Sequence, residues 1–380
     1  MSGYFLYHSI GTFPGKAEQM AASLTKFSNI WSAQDDGQWP AALAAQQRFI
    51  DAWTRLIEAP QGTLTTAENV TAALYSLIGA LPAARLAGKR LLVAGDCFPS
   101  LHFLLAGLGE RFGFTLDTVP LRPSETWVRD EDFIARWQAD VGLALITFVT
   151  STASHRCDVD RLAAHSRAMG SIVGVDVTQG IGVAPFSVAA TPVDFVVSTS
   201  LKWLCGSSGA GILQVAPELL KSCRPELRGW FSQPNPFSWD LDAFTYADDA
   251  RRFDHGTPAI LASVASLPGL EWVEPTGIDA IRAQNAGLVE RIISAALENG
   301  WEIRSPLDAR ERGGSVMVGL PPQGAEPAKI IAALRKERLY CDARGTTLRL
   351  SPGMVTTETA VDALIARLTE HIGSRRRRAS

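Results

Sequence analysis

From residue 88 onward, short β-branched or apolar runs alternate with stretches of helical periodicity, and this alternation narrows the possible folds more than any other feature of the chain. Residues 90–94 (RLLVA), 115–119, 141–149 (VGLALITFV), 171–177 (SIVGVDV), 194–198 and 211–215 read as strands, and 100–112 and 158–169 as helices. The run 141–149 is apolar throughout, which suits a strand buried on both faces. The pattern predicts an α/β fold, a mainly parallel sheet covered by helices on both sides. In such sheets ligands sit beyond the carboxyl ends of the strands, on the loops that follow them.

Residues 219–258 change character, with Pro225, Pro234, Pro236 and many aromatic and acidic residues, and read as a long irregular excursion. Beyond Pro258, residues 277–298 and 325–337 have helical patterns, 347–350 reads as a strand and 357–371 as a last helix. The expected organisation is a large domain over 51–258, a smaller C-terminal α/β domain over 259–380, and an N-terminal segment, 1–50, packing on the small domain. A chain of 380 residues accommodates two domains. No internal repeat is visible.

Composition removes several classes of function. With 46% hydrophobic and 20% charged residues and a net charge of −3, the chain is an ordinary globular one, not a nucleic-acid or polyanion binder. Its one strongly basic run, Arg375 to Arg378, reads as a solvated tail. Cys97, Cys157, Cys205, Cys223 and Cys341 are scattered without metal-ligand spacing, so neither a metal site nor a disulfide framework is expected. The N-terminus lacks the pattern of a signal peptide, and no apolar run approaches the ~20 residues that span a membrane. A reduced, cytoplasmic protein with no membrane partner is expected.

The stretch with most chemistry is 175–213, VDVTQGIGVAPFSVAATPVDFVVSTSLKWLCGSSGAGIL. Asp176 lies near the end of an otherwise apolar strand, where an isolated charge is costly and calls for a cationic partner. Lys202 follows a second apolar strand, among Ser198, Thr199, Ser200 and then Gly206, Gly209 and Gly211. A lysine in such a loop can have its pKa lowered and act as an amine nucleophile. Neighbouring hydroxyls and backbone N–H groups suit a phosphate. Taken singly, Asp176 also reads as a turn cap, Lys202 as an exposed loop charge and GSSGAG as a plain turn.

In combination these residues resemble the class V aminotransferases, enzymes of pyridoxal 5'-phosphate (PLP) with fold type I, and among them the kynureninase-like members. The resemblance rests on Asp-x-x-Gln at 176–179 and on VDFVVSTSLK, and extends along the chain. His8-Ser9-Ile10-Gly11 is similar to N-S-L-G, Phe98-Pro99-Ser100 to F-P-S, Gly229-Trp230-Phe231 to G-W-W, and Cys341-Asp342-Ala343-Arg344 with Arg349 to a C-terminal C-D-x-R…R region.

The resemblance implies roles for particular residues. Lys202 would hold PLP as a Schiff base and move the substrate's α-proton. Asp176 would pair with the pyridine nitrogen, which supplies the cation that its burial demands. Gln179 would bond the ring's phenolic oxygen, Phe98 would stack on the ring, and Trp230 would belong to the cofactor's surroundings. The phosphate would lie at the N-terminus of a helix beginning near Asn69, Val70 and Thr71, where N–H groups and the helix dipole favour an anion; Asn69 or Thr71 could equally be an ordinary N-cap. Thr199 would add a hydroxyl. Thr257 would reach the phosphate of a neighbouring subunit, implying a homodimer. Arg349, alternating with Leu348 and Leu350, faces away from their apolar side, and would take the α-carboxylate of a small amino-acid substrate.

The substrate-selecting positions depart from the kynureninase pattern. Leu201 stands where a tyrosine or histidine is usual, Phe231 replaces a tryptophan, and Met354-Val355-Thr356 stands where a Tyr-Asn pair is common. The expected activity is therefore transamination of a small α-amino acid, with kynureninase-like hydrolysis or β-elimination as the alternative. Cysteine desulfuration, with Cys341 as nucleophile, is a further one.

Overall fold

The computed structural model describes residues 3–321 and 326–372; the Arg375 to Arg378 run and residue 325, where one helical pattern was expected to begin, lie outside them. The chain opens with β1 (Gly3–Tyr4), α1 (Lys16–Trp31), α2 (Gln38–Leu56), β2 (Leu64–Ala67) and α3 (Val70–Ile78). Strands and helices then alternate through β3 (Arg90–Ala94), α4 (Pro99–Phe112), β4 (Thr115–Val119), α5 (Asp130–Arg136), β5 (Val141–Thr147), α6 (Val159–Met169) and β6 (Ile172–Asp176). Next come β7 (Phe195–Thr199), β8 (Gly211–Val215) and α7 (Pro217–Ser222). After the irregular excursion follow α8 (Ile260–Thr276), α9 (Ile278–Asn299), β9 (Glu302–Ile303), β10 (Val316–Gly319) and α10 (Pro327–Lys336). The last elements are β11 (Leu339–Tyr340), β12 (Asp342–Arg344), β13 (Thr347–Leu350) and α11 (Glu358–Ile372).

The central sheet has seven strands in the order β2-β8-β7-β6-β5-β3-β4. Strands β3 to β7 pair in parallel, and β8 runs antiparallel to both β7 and β2. Burial on both faces explains why these strands read as unbroken apolar runs. Val173, Val175 and Val196 enter the core on one side, and Leu143, Leu145 and Val197 the core on the other. The parallel arrangement brings the carboxyl ends of β3, β6 and β7 to one edge, and Phe98, Asp176 and Thr199 arrive there together.

A four-stranded antiparallel sheet, β12-β13-β10-β9, carries a separate core in which Leu348 and Leu350 meet apolar residues of α9, α10 and α11. The N-terminal strand β1 pairs with β11, and Leu6 bridges to Ser351, so the first residues are joined to this C-terminal layer. Helices α1 and α2 instead pack on α8.

Helix α8 is absent from the sequence expectation, and it changes what residues 259–276 do. Its Leu267, Leu270 and Val273 lie in a core of the seven-stranded sheet, not in that of the C-terminal layer. It is apolar on most sides and contains Pro268 and Pro275, so it shows neither helical amphipathicity nor helix-compatible composition. Pro268 cannot donate to the carbonyl of Val264, and that carbonyl accepts from Ser23 Oγ at 3.0 Å instead. Among the described residues, no helix is long and apolar enough to cross a membrane.

Candidate active site

The turn after β7 is closed by its own backbone. Ser200 N–H donates to Ala210 O at 2.9 Å, Gly206 N–H to Ser200 O at 2.7 Å, and Cys205 N–H to Lys202 O at 2.9 Å. Trp53 Nε1 donates to Ser200 Oγ at 3.0 Å, and Ser207 N–H to Ser266 Oγ on α8 at 2.8 Å. Lys202 therefore stands on a backbone with little freedom. Its side chain is half-buried, with Nζ 5.5 Å from the centroid of the Phe98 ring. Burial lowers its ammonium to about 8, assisted by Arg349 and opposed by Asp176. The shift moves this amine toward the unprotonated form that a nucleophile requires.

Asp176 ends β6 in register with Thr147 and Val197. It is 6% exposed. One carboxylate oxygen accepts from Thr178 N–H at 3.0 Å. Burial raises its pKa against the opposing pull of Thr178 and Lys202. The cationic partner expected from the sequence is not an ion pair within the chain: among the described residues, no lysine, arginine or histidine lies in salt-bridge contact with it. A buried carboxylate facing a lysine amine and lacking a cation is what a protonated pyridine nitrogen would complete.

The N-terminal segment threads against this turn. Gly11 N–H donates to Leu201 O at 2.9 Å, and a Cβ at Gly11 would lie 1.8 Å from Lys202 O. Tyr7 stacks on Trp203 with centroids 5.4 Å apart, and Lys16 Nζ donates to Gly11 O and Gly206 O at 2.7 and 3.2 Å. Gln179 Nε2 donates to His8 O at 3.1 Å, so the amide expected at the cofactor's phenolic oxygen also pins this segment. The Gly11 contact makes a direct prediction. Gly11→Ala should destabilise the protein by about 1–3 kcal/mol through overpacking, read from urea unfolding, and should displace the Lys202 turn. Wild-type stability with normal cofactor absorption would mean that the close approach carries no constraint.

Arg349 is buried and forks onto Asp342, its register partner across the β12–β13 hairpin, at 2.8 and 2.5 Å. Its charge adds to burial in lowering the pKa of both Lys202 and His8. At the other end, Asn69 caps α3 by accepting from Ala72 N–H at 2.9 Å. The capping alternative for Asn69 is thus realised, and Val70 and Thr71 begin the helix. A Cβ at Gly211, the register partner of Thr199, would lie 3.1 Å from the Asn69 Cα, so the α3 N-terminus and Thr199 share the end of β7 and β8.

Trp230 packs edge-on against Trp39, Phe231 and Phe237, and Thr257 is exposed beside a cleft shared with Glu68 and His255. A cleft of about 820 Å³ lined by Trp127, Arg129, His155 and Arg310 contains none of the expected site residues. His8 and Asp342 stand in segments that carry the family resemblance, but sequence reasoning assigned neither a role. For Asp342 the signal was present. Gly345-Thr346 is a two-residue hairpin turn with Gly345 at a φ of 55°, which sets Asp342 opposite Arg349.

The family model of class-V aminotransferases matches residues 54–363. The chain belongs to this family. It is 25% identical over 338 residues to the uncharacterized aminotransferase YcbU of Bacillus subtilis (strain 168), covering 87% of this chain and 85% of that one. It is 26% identical over 340 residues to a kynureninase of Bacillus thuringiensis subsp. konkukian (strain 97-27), covering 80% and 76%. Among solved structures, it superimposes with a TM-score of 0.86 on the cystine C-S lyase C-DES, seen with glycine linked to its PLP cofactor, at 17% identity over 97% of each chain. The fold is that of fold type I, and this class-V family member is a PLP-dependent enzyme. The unpaired Asp176 carboxylate, the Lys202 amine and the Phe98 ring beside it suit that cofactor.

Proposed function

We propose that this class-V enzyme transaminates a small α-amino acid, with Lys202 as cofactor anchor and proton carrier. The observation that carries the reading is the placement of the Lys202 amine beside Phe98, with Asp176 and Arg349 both close enough to act on its charge. When bound, PLP supplies an electron sink for the bonds at the substrate's α-carbon. Asp176 would hold the positive charge on the ring nitrogen, and Thr178 N–H keeps that carboxylate in place. Phe98 would cover the ring. The α3 N-terminus, from Val70 and Thr71, and Thr199 would receive the phosphate, and Gln179 would bond the ring's phenolic oxygen. Arg349 takes the α-carboxylate, and Lys202 Nζ removes the α-proton and returns it.

Two features favour this over the other reactions open to the family. Leu201, at the position before the lysine, offers no hydrogen bond to a substrate or phosphate. Cys341 is buried in the C-terminal core and burial pushes its thiol up to about 12, so it is a poor nucleophile for desulfuration. The reading includes a homodimer, because Thr257 is exposed, as are Trp239 and Leu241 near it in sequence, at 86% and 94%.

Single-turnover spectra with a panel of amino acids test the reaction type. An amino donor should convert the cofactor to its amine form and release a keto acid, and a second keto acid should restore the starting spectrum. Release of anthranilate from kynurenine would replace this reading with kynureninase. Pyruvate release without the amine form would replace it with a β-lyase.

A further inference from the structure

Arg349 bonds Asp342 through Nε and Nη2, which uses one edge of the guanidinium. The opposite edge, Nη1 with the second N–H of Nη2, has no partner among the described residues and matches a second carboxylate. Asp342 is held in turn. Its Oδ1 lies 3.1 Å from His8 Nε2, and His8 Nδ1 lies 2.6 Å from Ser351 Oγ, which is 2.6 Å from Ser315 Oγ. A carboxylate only accepts, so Nε2 carries the imidazole proton; burial keeps the ring neutral by lowering its pKa, and Nδ1 then accepts from Ser351. The result is a directional chain: Ser315 donates to Ser351, Ser351 to His8, His8 to Asp342, and Arg349 donates to Asp342 from the other side. His8 is also tied through its carbonyl to Gln179, three residues beyond Asp176.

We propose that Asp342 and His8 are positioning residues that fix the plane of the Arg349 guanidinium, so that its free edge meets the α-carboxylate of the substrate. The N-terminal segment thereby sets the enzyme's preference for substrates with a free α-carboxylate. This rests on the reading of Arg349 as the carboxylate clamp. An arginine on a strand without such a brace would sample several rotamers, and each carboxylate bound would have to order it.

The test is the affinity of the holoenzyme for L-alanine and for L-alaninamide, taken from the shift in cofactor absorption on titration. The amide has the same amine and side chain but no carboxylate. The wild type should prefer the acid, and Arg349→Ala should remove that preference. Asp342→Asn should weaken binding of the acid by about ten- to a hundredfold, the worth of a charge-assisted hydrogen bond, with the amide little affected. Asp342→Glu should restore part of the loss, and His8→Phe, acting one bond further back, should show a smaller loss of the same kind. If Asp342→Asn does not fold, His8→Phe decides. Equal weakening of acid and amide would mean a structural role and overturn the proposal. So would an unchanged preference in both variants while Arg349→Ala loses it, an outcome that leaves the clamp itself standing. An unchanged preference in Arg349→Ala would overturn the clamp and this proposal together.

Discussion

Lys202→Ala should abolish turnover while leaving the protein folded, with a loss of at least about 10³-fold if only the proton transfer were removed. The covalent link to the cofactor would be lost as well. The structure gives a reason to expect an intact fold. Lys202 Nζ makes no hydrogen bond or ion pair among the described residues, and its turn is held by Ser200, Cys205, Gly206 and Trp53. Its ammonium is held at about 8 in the fold against the ordinary 10.5. A lysine with a lowered folded pKa costs stability in full below about pH 8, and the cost fades as pH rises toward 10.5. The cofactor-free variant should therefore melt no lower than cofactor-free wild type at pH 7, and calorimetry with PLP absorption spectra would check both halves. A variant that turns over normally, or one that unfolds, would contradict the account.

The second large effect falls on Asp176. Asp176→Asn keeps an oxygen for Thr178 N–H but removes the charge that holds the pyridine nitrogen protonated. Losing several kcal/mol of stabilisation at the α-carbon would slow turnover by about 10³-fold or more. Stability should move the other way or not at all. Burial raises the pKa of the Asp176 carboxyl, so the ionised group is a burden on the cofactor-free fold at neutral pH that asparagine does not impose. Steady-state rates and urea unfolding of the same variant separate the two roles. Reduced stability with near-normal turnover would make Asp176 a turn cap and nothing more.

The sheet was legible because its strands are buried on both faces and leave unbroken apolar runs. Strands β3, β4, β8 and β13 begin and end where the residue pattern places them. Helix α8 was illegible for the converse reason. It is enclosed nearly all round, has no polar face to give a period, and carries two prolines, of which Pro268 frees a carbonyl that is met by Ser23, far away in sequence. The site divides in the same way. Lys202, Asp176 and Phe98 sit at strand ends, where the local pattern announces them. The surroundings of Arg349 depend on His8, which reaches Asp342 and Ser351 across more than three hundred residues of chain. No local pattern encodes that contact. Asp176 is instructive too, since the sequence showed that a carboxylate buried there calls for a cation, and no basic side chain among the described residues forms a salt bridge with it.

The central claim is that Lys202 holds the cofactor. Borohydride reduction of the purified holoenzyme, followed by digestion and mass spectrometry, tests it most directly. The account predicts a yellow protein whose chromophore becomes fixed to the peptide containing Lys202 and to no other. Modification at Lys89 or Lys221 instead, or a protein that binds PLP with no reducible link to any lysine, would contradict it.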